Sequence, residues 1–64
     1  MKNKVRVYRE SLKMTQSELA HLVGVTRQTI YLIEIGEYNP TLKLCKKICK
    51  VFEKNLSSIF DCEE

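Results

Sequence analysis

Apolar residues recur at helical spacing along the whole chain, and no stretch alternates with the two-residue period of a half-buried strand. Residues 4–12 place Val5, Tyr8 and Leu12 on one face, with Arg9 beside them and Val7 pointing away. Thr15-Gln16-Ser17-Glu18 is a capping box, flanked by Met14 and Leu19 as a hydrophobic staple. The helix that follows is expected to bury Leu19, Ala20, Leu22 and Val23, to show Ser17 and His21 to water, and to stop at Gly24. Thr26 caps a third helix, with Ile30, Ile33 and Glu34 inward and Gln28, Tyr31, Leu32 and Ile35 outward. Arg27 stands at its leading edge and Gly36 ends it.

Asn39-Pro40-Thr41 reads as a turn and then a cap, because proline cannot continue a helix and threonine can start one. The fourth helix is expected to bury Leu42, Cys45, Ile48, Cys49 and Phe52 behind a stripe of Lys43, Lys46, Lys47 and Lys50. Asn55 caps a last short helix carrying Leu56, Ile59 and Phe60. These signals predict an all-α domain of five helices with very short connections.

Length and charge narrow the function. The 64 residues are read as a single domain spanning 1–64. A chain of this size buries only about 60% of its unfolded surface, so a deep catalytic cleft would consume its core. A contact surface is expected rather than an enzyme. No apolar run approaches a membrane span, and the stretch MKNKVRVYRESLK lacks the apolar core of a secretory signal. Three cysteines, an odd number, suit a reducing compartment better than a disulfide framework, so a cytoplasmic location is expected. The net charge is +3, unevenly spread: residues 1–13 and 43–54 each carry +4, residues 14–42 carry −2 and residues 55–64 carry −3. Such basic flanks permit a nucleic-acid partner, although on charge alone a solvated face is the better reading.

Cys45 and Cys49, four apart, invite a metal reading with His21. His21 belongs to another helix and another face, and cysteine packs as a small hydrophobe, so no metal and no cofactor are expected. Cys62 lies in the tail, as a free thiol or as a crosslink between copies.

Two helices joined by a tight glycine turn form a helix-turn-helix, here at about residues 16–35. Counted from Gln16, Ala20, Gly24, Ile30 and Ile33 take the fifth, ninth, fifteenth and eighteenth places of its twenty-residue signature. With TQSELA, VGVTRQTIYLIE and G-E-YNP-TL in register, residues 4–60 resemble the lambda-repressor/Cro-like, XRE-type regulators. The resemblance implies a DNA-binding regulator whose third helix enters the major groove by its N-terminal end. Gln16 would grip a phosphate and brace the leading residue of that helix, Tyr38 and Asn39 would touch the backbone, and Arg9 and Glu34 would lock helices one and three as an ion pair.

The residue chemistry adds its own expectations. Gln28 is suited to adenine N6 and N7, and Arg27 to guanine or a phosphate. Thr26 caps first and touches backbone second. Thr29 reaches a phosphate or fills space, Tyr31 meets the groove or packs, and Asn39 serves equally as a turn former. Departures from the family are Ile35 and Glu37 around the glycine, Lys13 where glycine often ends helix one, and Glu53-Lys54 for a common Gly-Val.

The combined expectation is a homodimeric repressor on a double-stranded operator with twofold half-sites about 34 Å apart. Leu56, Ile59 and Phe60 are assigned to the dimer interface. The alternative is an antitoxin-like protein-interaction module that binds DNA for its own regulation.

Overall fold

The computed structural model describes residues 2–60. Its elements are α1 (Val5–Ser11), α2 (Gln16–Val23), α3 (Arg27–Glu34), α4 (Leu42–Phe52) and α5 (Leu56–Ile59). Local chemistry sets these boundaries. Thr15 Oγ1 accepts from the Glu18 amide at 3.0 Å, and Glu18 Oε1 accepts from the Thr15 amide at 2.8 Å, closing the capping box. Thr26, Thr41 and Asn55 cap the next three helices through Thr29, Leu44 and Ser58 amides at 3.2, 3.2 and 2.9 Å. Each such cap contributes roughly 0.5–2 kcal/mol.

Helices α1 to α4 all end in the same way. The amides of Met14, Val25, Glu37 and Lys54 reach back to the carbonyls of Arg9, Ala20, Leu32 and Cys49 at 3.1, 3.0, 2.9 and 3.1 Å. That closure needs a left-handed residue. Gly24 and Gly36 supply it twice, at φ 78° and 81°. Lys13 and Glu53 supply it at φ 56°, at two of the places where the sequence departs from the pattern of the regulators it resembles. A side chain in this region costs about 1–2 kcal/mol, partly offset by the lower entropy of a non-glycine unfolded chain. Glu53→Gly and Lys13→Gly are therefore expected to stabilise by about 0.5–1 kcal/mol each. Thermal unfolding should show a rise of several degrees for each change.

The core joins all five helices: Val5, Leu19, Ala20, Val23, Ile30, Ile33, Leu44, Cys45, Ile48, Cys49, Phe52, Ile59 and Phe60. Tyr8 lies over its edge, with its ring 5.9 Å from that of Phe52 and Lys54 Nζ 5.7 Å above it.

Several side chains fall elsewhere than helical periodicity places them. Leu12, Leu22 and Leu42 are 54%, 58% and 58% exposed. Leu12 is the C-cap of α1, where the chain has already left the helix. Leu22 lies about 60° beyond Leu19, outside the arc that runs from Leu19 through Val23 to Ala20, at about 100° per residue. Leu42 is the first residue of α4, overhanging its end, and Leu44 takes the inward place.

Ile59 and Phe60, expected at a dimer interface, are each only 1% exposed and belong to the protomer's own core. Phe60 leaves α5 as extended backbone and forms an isolated antiparallel bridge with Asn3, while the Lys4 amide donates to the Ile59 carbonyl at 2.7 Å. Residues 3 and 4 thus close over residues 59 and 60. Leu56, the third member of that group, is half-buried.

Candidate nucleic-acid interface

The site is built outward from a buried ion pair. Arg9 Nε and Nη2 donate to Glu34 Oε2 and Oε1 at 2.6 and 3.2 Å, and Nη1 donates to the Met14 carbonyl at 2.7 Å. The two side chains are 10% and 3% exposed, so neither charge has water to fall back on. The carboxylate, hydrogen-bonded to the guanidinium and attracting it, holds Arg9 more firmly protonated than usual, against the opposing effect of burial.

The pair is also the anchor of a chain of contacts. Gln16 Nε2 donates to Glu34 Oε1 at 3.1 Å, and Arg27 Nη1 donates to Gln16 Oε1 at 3.2 Å. A carboxylate oxygen only accepts, so Gln16 must turn its NH2 toward Glu34 and its carbonyl toward Arg27. The first residue of α2 and the first of α3 are tied together in one defined orientation. A free arginine samples many rotamers; this one is held at the tip of an exposed helix.

Around that tip, Thr26, Arg27 and Gln28 are exposed and Thr29 is half-buried. The hydroxyls of Thr26 and Thr29 lie 3.0 Å apart, and Thr26 also caps the helix, so both are partly committed to local structure. Tyr31 and Ile35 extend the exposed face one and two turns on. A groove lined by Arg6, Gln16, Arg27, Tyr31 and Ile35 runs along it, with Arg9 and Glu34 at its base. Sequence reasoning did not single out Arg6. It pairs with Glu10 at 3.0 Å on α1, a surface contact that leaves it available to a polyanion.

Tyr38 and Asn39 are exposed in the α3–α4 loop, before a buried Pro40. The structure therefore gathers Gln16, Arg27, Tyr31 and the Arg9–Glu34 pair around one groove, with Tyr38 and Asn39 in the following loop. Glu37 is exposed in that loop too, placing a negative charge beside Tyr38 and Asn39.

Asn3 is a second residue that sequence reasoning misses. Its Oδ1 accepts from the Val5 amide at 3.1 Å, and its Nδ2 donates to the Ile33 carbonyl at 2.8 Å, joining the start of α1 to the end of α3. The local half of this role, an Asn side chain accepting from the amide two residues on, is readable from its place just ahead of the first helical turn; the reach to Ile33 is not. Among the described residues no group of three or more His, Cys, Asp and Glu gathers to hold a metal. Cys45 is buried, with Sγ 3.8 Å from the Pro40 carbonyl oxygen. Cys62 lies outside the described residues.

A capped helix crossing the base of a second one, with a glycine turn between and an exposed polar tip, defines a helix-turn-helix protein. Residues 5–59 match the family described as Helix-turn-helix. The chain belongs to that family, in its lambda-repressor/Cro-like, XRE-type branch. It is 48% identical over 64 residues to the Methanocaldococcus jannaschii HTH-type transcriptional regulator MJ0272, covering all of this chain and 97% of that protein. Identity to the Bacillus subtilis HTH-type transcriptional regulator YgzD is 47% over 64 residues, with 100% and 97% covered. An Archaeoglobus fulgidus HTH-type transcriptional regulator is 45% identical over 64 residues, with 100% and 90% covered. No helix among the described residues is long and apolar enough to cross a membrane.

Proposed function

We propose that this protein is a DNA-binding transcriptional regulator that acts as a homodimeric repressor inside the cell, reading operator half-sites with the first turn of α3. The observation that carries the reading is the tethered guanidinium: Arg27 is exposed yet held through Gln16 to the buried Glu34. Such pre-ordering lowers the entropy lost when a side chain engages a base edge or a phosphate. Gln28, exposed beside it, is the adenine reader, and Tyr31 flanks the same groove. Gln16, Thr26, Thr29, Tyr38 and Asn39 hold the backbone on either side. The names of the relatives support regulation of transcription and say nothing of the sense of the effect.

One such domain makes few contacts, which favours two copies on adjacent turns of the duplex. With Ile59 and Phe60 inside the protomer, Leu56 remains the member of its trio with surface to offer a second copy.

Selection of bound duplexes from a random pool tests the reading. Gln28→Ala should relax preference at one position per half-site, losing about 1–3 kcal/mol of discrimination. Lys46→Ala should leave the preferred sequence unchanged and lower affinity uniformly or not at all. An identical selected sequence from the wild type and Gln28→Ala would exclude Gln28 as a reader. Failure of the wild type to enrich any duplex would exclude sequence-specific binding altogether.

A further inference from the structure

Leu12 and Leu22, which helical periodicity directs inward, are instead on the surface, and with Met14 they line one groove between the end of α1 and the outer face of α2. His21 and Leu22 also line a second depression, which continues over Val51 to Lys47 and Lys50 of α4. The shared residues make the two one continuous surface, with an apolar floor of Leu12, Met14, Leu22 and Val51 and a rim of Lys13, Lys47 and Lys50 that Glu18 interrupts. None of its lining residues belongs to the groove around Gln16, Arg27 and Tyr31. Reading of DNA by α3 leaves it unexplained.

The composition of this surface runs against the needs of the isolated domain. Contiguous exposed leucines favour association. Lys43, Lys46, Lys47 and Lys50 stand three and four apart on α4, where like charges oppose the helix, and that helix contains no acidic residue. Among the described residues no ion pair involves Lys47 or Lys50.

We infer that this face docks a segment of another protein bearing carboxylates beside leucine-like side chains, an acidic amphipathic helix being the shape that matches it. Such a helix would lay its apolar stripe on Leu12, Leu22 and Val51 and set its carboxylates against Lys47 and Lys50. Nucleic acid is the poorer occupant: a phosphate backbone satisfies the lysines and leaves the leucines in water, and His21 is the one ring among the lining residues on which a base could stack. A second copy is a poorer occupant too, because two copies of the face would bring six lysines together against two Glu18 carboxylates.

The test titrates the isotope-labelled full chain with a synthetic peptide of about four helical turns, built of Glu and Leu at helical spacing, and follows backbone amide resonances. Saturable shifts centred on Leu12, Leu22, Lys47 and Lys50 are expected. Leu22→Ser and the double change K47E/K50E should each weaken binding about tenfold, with circular dichroism unaltered and operator affinity after Leu22→Ser also unaltered. The inference is overturned if shifts at these residues are absent, or if a control peptide with Ala in place of Leu binds as tightly. It is equally overturned if a random duplex displaces the peptide from the same residues, or if Leu22→Ser abolishes self-association of the chain, which would assign the face to a second copy.

Discussion

Arg9→Met should cost about 3–5 kcal/mol, because it leaves the 3%-exposed carboxylate of Glu34 without its counter-charge. A domain of 64 residues has a total stability of only about 3–10 kcal/mol, so this single change brings the protein close to unfolding. Urea denaturation followed by circular dichroism measures the loss. The informative companion is the double change Arg9→Met/Glu34→Leu. Removing both charges together also removes the need to pair them, and exchange of a buried pair for apolar residues is often neutral or stabilising. Stability should therefore return to within roughly 1 kcal/mol of the wild type or exceed it.

Function should not return with it. Without Glu34, Gln16 loses the acceptor that orients its amide, and Arg27 loses its fixed partner. A stable double variant with operator affinity lowered about tenfold separates the two roles of the pair. Full recovery of affinity would show that the brace contributes nothing to recognition, while the stability argument would stand.

Phe60→Ala should be as damaging, at about 3–5 kcal/mol, since a large ring with 1% exposure is removed from a thin core. This outcome distinguishes a core residue from an interface residue. A core role predicts loss of helical signal at every protein concentration. An interface role predicts folded monomers at low concentration and normal dimers at high concentration. Thermal unfolding and sedimentation across a hundredfold range of concentration decide between them. Asn3→Ala acts on the same closure more mildly, removing the bond to the Val5 amide and the link to Ile33; about 1–2 kcal/mol is expected from equilibrium unfolding.

Much of the candidate site is legible in the order of residues. An arginine on an apolar face and a glutamate on an inward one each demand a partner, and they are found on each other. Thr15, Glu18, Thr26 and Gly24 are signals that act over one helical turn, so they state where helices begin and end wherever the helices go. The exposed tip of α3 follows from the same signals. The extension of the network from Glu34 through Gln16 to Arg27 is carried in part by the family resemblance; its direction, with each donor and acceptor assigned, needs the geometry.

Other residues are misplaced by periodicity for one physical reason. Helical spacing tells which residues share a face and says nothing of whether another element covers that face. Leu12 and Leu22 have the right spacing and no cover, because α1 ends at Ser11 and α2 turns a narrower arc to its neighbours. Ile59 on a four-residue helix and Phe60 just beyond it look superfluous until Asn3 and Lys4 fold back over them.

The amino-acid order by itself determined the helices, their stops and the need for a buried charge pair, since those depend on interactions between residues a few positions apart or on the cost of isolating a charge. Which apolar side chains became core, and which were left as a lysine-rimmed surface, was decided only when distant segments met, because burial is a property of two surfaces in contact and never of one.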